Sequence, residues 1–283
     1  MKVQFLQQAT NSFFYWLDHE LLENGEAYSN QTGAFYRYSD QQIPDGYSCF
    51  GSAYKQWVAD SSITGATIPT GVYANGSLVG RSSDTVIDFD NGRVISSEIS
   101  SSATVTGAFA VKDFSLYTTN DDEESLVLDV VSKTENERRI GSDLSYTYVK
   151  PYDLSVPAIF VAAQTQENDP FALGGLDETV IRFNTTIFCH TKGQLDGAIS
   201  FMADLARKTF YELPFDSSPY TEYGDVKNGL YNYNNTIDTS AAPYYVRKAK
   251  GSKLSDSVRR NLSTALYIGF VDFEVCKVRN PRA

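Results

Sequence analysis

The segment closest to a chemical site is Asp88-Phe89-Asp90-Asn91-Gly92, where oxygen-bearing side chains precede a glycine at alternate positions, as in a calcium-binding loop. The spacing is one residue short, and Ile99 stands where a closing acid is needed, so the segment reads as a hairpin turn. The two histidines have no acid or thiol at metal-ligand spacing. His19 reads as a polar-face residue of a helix, and His190 as a structural or solvated residue at a strand end. Asp121, Asp122, Glu123 and Glu124 form a run of carboxylates that solvent and a helix dipole explain. Gly174-Gly175 is not followed by the Gly-Lys-Ser/Thr of a phosphate loop, and neither a nucleophile elbow nor a dinucleotide fingerprint is present. The expectation is a protein without catalytic residues, metal or cofactor.

Cys49, Cys189 and Cys276 are widely spaced, odd in number and outside any Cys-x-x-Cys pattern, which favours buried reduced thiols. Cys189 and Cys276 fall in predicted strands of one region, so proximity is open, but a reducing compartment disfavours a bond between them. Five Asn-x-Ser/Thr sites, at Asn30, Asn75, Asn184, Asn234 and Asn261, reflect an abundance of these residue types.

These residues need elements to position them, and 283 residues with 42% hydrophobic and 13% aromatic content supply one large or two smaller cores. Charged residues interrupt residues 1–24, so that segment reads as an amphipathic helix, neither a signal peptide nor a membrane span. The expectation is a soluble protein made in a cytoplasm. The net charge of −11 disfavours nonspecific binding to nucleic acid by the molecule as a whole. It conceals a polarity: residues 247–283 hold nine basic and three acidic residues, a balance of +6, which leaves −17 on the rest. A basic segment on an acidic body suits subunits that attract one another in a fixed orientation, and equally suits a solvated loop.

The clearest unit lies at 177–210. Ile181, Phe183 and Ile187 alternate with Arg182, Asn184 and Thr186, the pattern of a half-buried strand. Thr191 and Gln194 then form a capping box, and Leu195, Ile199, Met202 and Ala206 recur at helical spacing. Elsewhere the first helix ends at Asn24-Gly25. A short strand is expected at 34–38, a turn at 41–45 with Pro44, and a second helix at 49–59. Asn75-Gly76 and Asn91-Gly92 mark two hairpins of the type that needs positive φ at both turn residues. Strands follow at 104–111 and 144–149; residues 121–133 suit a helix or a strand. A strand is read at 157–164, a polar loop at 166–175, a long Tyr-rich connection at 213–253, and one closing strand at 259–278 whose alternation shifts near Gly269. Together these predict an α+β fold: a mixed, mainly antiparallel sheet packed with helices, formed by 1–63 and 151–283, with a β-rich insertion domain at 64–150.

The leading amphipathic helix, the strand with Arg37-Tyr38-Ser39-Asp40 and Ile43-Pro44, and Val156-Pro157-Ala158-Ile159-Phe160 resemble tail-terminator and neck proteins of tailed bacteriophages. The strand, cap and helix of 180–210 and the long terminal strand extend the likeness, which covers 1–60 and 156–278; the insertion at 64–150 departs from the small terminators. The resemblance implies a virion subunit, assembled in the host cytoplasm, that forms a hexameric or dodecameric ring with itself. Such a ring caps the tail tube, meets tube or sheath proteins and the head-tail connector, and lets DNA pass transiently through a central channel, without a membrane. Arg247, Lys248, Lys250, Lys253, Arg259 and Arg260 are the expected interface cations. The Tyr-rich connection, which includes Tyr211, Tyr220, Tyr223, Tyr231, Tyr233, Tyr244 and Tyr245, is expected to dock a neighbour. Exposed aromatics beside Asn and Asp equally suit a carbohydrate-binding or surface-adhesion module of a phage or bacterium.

Overall fold

A computed structural model describes residues 5–39, 43–139, 156–170, 175–214, 230–263 and 265–280, with side chains left aside at 132–139. The strand expected at 144–149, together with Asp40, Gln41, Gly174, Tyr220, Tyr223 and Arg282, lies outside them. The elements run α1 (Phe5–Glu23), β1 (Tyr28–Tyr38), β2 (Ser48–Gly51), β3 (Gly71–Ala74), β4 (Ser77–Gly80), β5 (Thr85–Asp88), β6 (Arg93–Ser96), β7 (Val105–Lys112) and β8 (Ser115–Thr118). They continue α2 (Glu123–Arg139), β9 (Ala158–Pro170), β10 (Asp177–Cys189), α3 (Lys192–Asp204), β11 (Thr209–Phe210), α4 (Tyr233–Thr236), β12 (Tyr244–Lys253), α5 (Asp256–Leu262) and β13 (Tyr267–Arg279). The fold is α+β and rich in antiparallel sheet.

Two sheets divide these strands. The first has seven strands in the order β4-β3-β7-β1-β2-β6-β5, and the second six in the order β11-β12-β13-β10-β9-β8, where only β8 and β9 run parallel. The sheet boundaries differ from the expected domain limits. β1 and β2, assigned above to the core with 151–283, pair with β7 and β6 of the expected insertion, whereas β8 pairs with β9. The segment expected as a helix at 49–59 is β2 followed by an irregular stretch in which Trp57 bridges to Val111. Its Phe50 and Trp57 join Phe35, Val94 and Phe109 in the core of the first sheet, where Trp57 stacks on Phe109 at 4.3 Å between centroids.

The second sheet has the larger core. Phe13 of α1 stacks on Phe183 of β10 at 4.3 Å and meets Phe273 of β13 edge-on at 5.1 Å, so α1 closes one face of the sheet. On that face α3 starts at its capping box, with Thr191 and Gln194 each accepting the other's backbone N–H, and buries Leu195, Ala198 and Met202. Gly269 and Gly251 let the helix approach. A Cβ at Gly269 would lie 2.6 Å from Ile199 Cδ1 and 2.8 Å from Leu195 Cδ1, and one at Gly251 would lie 2.3 Å from Ile199 Cγ2. That approach, not a bulge, explains the altered pattern near Gly269: β10 and β13 pair from Asp177↔Arg279 to Cys189↔Tyr267 without a register shift. The opposite face is covered at one end by α2, whose Leu126, Val127 and Val130 pack on Phe188 and Ile268.

Two further expectations change, and one open question closes. Residues 166–170, read as loop, extend β9 and pair with β10. The expected long strand at 259–278 is α5 and then β13, and β12 lies within the long connection. Cys189 and Cys276 are not neighbours, because they pair with Tyr267 and Val180, nine residues apart along β10 or about 30 Å. All three cysteines are buried thiols outside any disulfide, and burial pushes the Cys189 thiol up to about 12 and Cys276 up to about 11.

Candidate functional site

The expected basic residues divide between a strand and a short helix. Arg247, Lys248, Lys250 and Lys253 stand on β12, whose register against β13 shifts between Val246 and Lys248, a bulge at Arg247. Beyond that bulge Lys248 lies opposite Glu274 and Lys250 opposite Asp272, while Arg182 and Asn184 of β10 face the same two acids from the other side. Two rows of charge therefore cross the sheet, Arg182–Glu274–Lys248 and Asn184–Asp272–Lys250. Such cross-strand opposites stabilise a solvated sheet face.

The acids of these rows are engaged. Glu274 meets Arg247 Nη1 at 3.2 Å and Lys248 Nζ at 3.6 Å, and Arg247 also binds Glu178. The hydrogen bond to Glu178 leads the effects that hold the Arg247 guanidinium above its ordinary pKa. The Asn184 amide donates to Asp272 at 2.8 Å and to Glu123 from α2. Arg182 and Lys250 form no ion pair among the described residues, and Lys248 is 71% exposed. With Gln164 and Glu123, the residues of the two rows line an open concavity of 440 Å³. Its exposed cations can receive carboxylates or phosphates, so chemically the site is one of ionic recognition.

Arg259 and Arg260 lie on α5, away from these rows. Arg259 is buried, sits 4.3 Å over the Tyr267 ring and reaches Asp256 at 3.4 Å; Arg260 is exposed. Lys253 binds Asp196 of α3.

Two of the tyrosines expected to dock a neighbour do not reach the surface. Tyr233 is 5% and Tyr244 0% exposed, both in the second sheet's core, so they pack their own chain. Tyr244 stacks on Phe210 at 4.9 Å beneath Lys277, and burial drives its phenol pKa up. Tyr231 is half-buried and donates its hydroxyl to Asp18 at 3.3 Å. Among the described tyrosines of the connection, Tyr245, at 40% exposure, presents the largest free surface. The cause is local: residues 230–233 cross between the sheets, where Ser61 N–H bonds the Tyr231 carbonyl and Tyr231 N–H that of Ala59.

That crossing contains a polar cluster with no signal at local sequence spacing. His19 is not a solvated polar-face residue. Its Nδ1–H donates to the fully buried Asp60 carboxylate at 2.9 Å, and its ring stacks on Tyr233 at 4.4 Å. Burial by itself raises the Asp60 pKa, but hydrogen bonds from His19, the Ser62 side chain and the Tyr233 and Ser62 amides outweigh it and hold the carboxyl below its ordinary value. Next to it Lys112 of β7 donates to both Asp18 oxygens at 2.8 Å. A buried pair of this kind is costly to break but is weak evidence for catalysis, and here it ties α1 to the first sheet.

The other candidates resolve as local structure. Asp88 accepts from the Asn91 amide at 3.1 Å and from Arg93 Nε at 2.7 Å, within a four-residue turn in which Gly92 has positive φ and Asn91 does not. The turn is thus a longer one than the two-residue type expected. Asp122 caps α2 by accepting from the Ser125 amide at 2.8 Å, and that bond lowers its pKa. His190 is exposed. Among the described residues no group of three or more His, Cys, Asp or Glu is arranged to hold a metal ion, and no helix is long and apolar enough to cross a membrane. No protein-family model matches this sequence, and no curated protein matches it.

Proposed function

We propose that the chain is a structural subunit of a tailed-phage neck or tail terminator that assembles with copies of itself into a ring, caps the tail tube and meets the head connector. The observation that supports self-assembly is the position of the basic segment. In a chain of net charge −11, Lys248 and Lys250 are exposed on a strand of the second sheet, where they offer charge at positions set by its register to an acidic neighbour. The finer assignment rests on the order of elements noted above, and DNA contact in the channel belongs to it. Native mass spectrometry with negative-stain images over a range of concentration tests the reading. Closed rings of six or twelve copies support it, and a persistent monomer at all concentrations overturns self-assembly.

A second reading has one observation of its own. Tyr73 (49% exposed) and Tyr36 (43%) project from the same face of the first sheet, beside exposed Thr106 and Ala34, with Leu78 (64%) opposite Tyr73. An open face with two aromatic rings suits stacking on sugars. A glycan array, repeated with Tyr36→Ala and Tyr73→Ala, tests it; retained hits in both variants, or none in the parent, remove it.

A further inference from the structure

The second sheet has two incompletely paired edges, and they carry opposite charge. On one side β8 pairs only with Ala158 to Val161 of β9, so residues 162–170 have no strand on their outer side among the described residues. Residues 164–170 are exposed and carry Glu167 and Asp169. On the other side β11 pairs with Tyr244 and Tyr245, and further bonds with Arg207 and Lys208 stop at Val246. Beyond that point, among the described residues, β12 presents an outer edge with Arg247, Lys248, Lys250 and Lys253. Edge strands display unpaired N–H and C=O groups and recruit further strands unless they are blocked.

We infer that these edges join: β9 of one copy adds to β12 of the next, extending the six-stranded sheet from subunit to subunit. The inference rests on the proposed self-assembly and names its contact. Direction is favourable. Three successive antiparallel steps, β9 to β10 to β13 to β12, make β9 and β12 run oppositely, so two sheets placed side by side in the same orientation meet as an antiparallel pair. The two surfaces differ, which makes the contact head-to-tail, the kind that closes into a ring when its rotation divides a full turn.

The charges also select a register. Glu167 and Asp169 pair with Val180 and Glu178 of β10, which puts them on the face that carries Arg182 and Asn184; Lys248 and Lys250 are on that same face through Glu274 and Asp272. Both pairs are spaced by two residues. An antiparallel register with Glu167 opposite Lys250 and Asp169 opposite Lys248 therefore sets acid against base twice, and Lys250, Glu167 and Asp169 have no ion pair of their own among the described residues. Like-with-like edges would oppose acid to acid or base to base, which is destabilising. Pro170 ends the strand without an N–H, limiting further extension.

The test combines charge exchange with cross-linking on the full chain. Lys248→Glu with Lys250→Glu, and separately Glu167→Lys with Asp169→Lys, are each expected to weaken association at least about tenfold by native mass spectrometry, and mixing the two double variants is expected to restore it. Glu167→Cys mixed with Lys250→Cys is expected to give a disulfide-linked dimer that neither variant gives alone, since directly opposed Cβ atoms come within about 5 Å. If the parent forms rings while exchange and cross-linking have no effect, the contact is wrong and the assembly reading stands. If the parent stays monomeric at every concentration, both fall.

Discussion

The two sheets reach similar size by different means. The seven-stranded sheet uses five strands of four residues, β2 to β6, joined by turns that local chemistry dictates: Asn75 and Gly76 both adopt positive φ, and Asp88 caps its own loop. The six-stranded sheet uses three strands of thirteen residues, β9, β10 and β13, held in register by alternating apolar residues beneath α1 and α3. One sheet is specified by its turns and the other by its core, so each should fail in its own way.

The largest expected loss is in the core of the second sheet. Phe13→Ala removes a ring that touches Phe183, Phe273, Trp16 and Phe210, and should cost about 4 kcal/mol in urea unfolding. A loss below about 1 kcal/mol would mean that α1 does not close this core. The first sheet should break at a turn instead. A Cβ at Gly92, where φ is +61°, would lie 1.8 Å from the Tyr54 carbonyl oxygen, so Gly92→Ala must move backbone, at about 2 to 3 kcal/mol. By contrast Gly76→Ala, in open space, should cost only its positive-φ strain, about 1 kcal/mol. If the two glycine variants unfold alike, turn packing does not organise this sheet.

These differences also explain what sequence could reveal. Turn dipeptides, the capping box and the period of α3 are local signals and located β3, β4 and α3 closely. Residues 49–59 misled because Phe50, Tyr54, Trp57 and Val58 fall near helical spacing, whereas it is Phe109, distant in sequence, that holds Trp57. Residues 166–170 looked like loop because an exposed edge has no apolar face to alternate, and only pairing with β10 makes them strand. The candidate site was half legible for the same reason. Its basic residues are clustered along the chain, but their position in the sheet and the acids beside them depend on the registers of β10, β12 and β13. His19 and Asp60, 41 residues apart, had no local signal at all.

A smaller effect tests whether the long-strand region also depends on local chemistry. Thr191→Ala removes the side-chain acceptor for the Gln194 amide and should cost about 1 kcal/mol, with β10 and β13 retaining their hydrogen-exchange protection. Loss of protection throughout both strands would show that α3 nucleates the sheet rather than covering it.

The effect that depends on pH belongs to the junction between the sheets, and its signature appears in acid. The folded Asp60 carboxyl is held below its unfolded value, so the unfolded chain binds the proton more readily. The resulting stability is fully present above the unfolded carboxylate value of about 3.9 and is lost as pH falls through the lower folded value. Asp60→Asn keeps the shape but removes this titration. Its unfolding free energy should be offset from the parent's by a constant amount above about pH 5, with the offset narrowing below about pH 4. An offset that stays constant down to pH 2 would mean that Asp60 does not link the sheets electrostatically, and would leave the buried Asp18–Lys112 pair to hold α1 against β7.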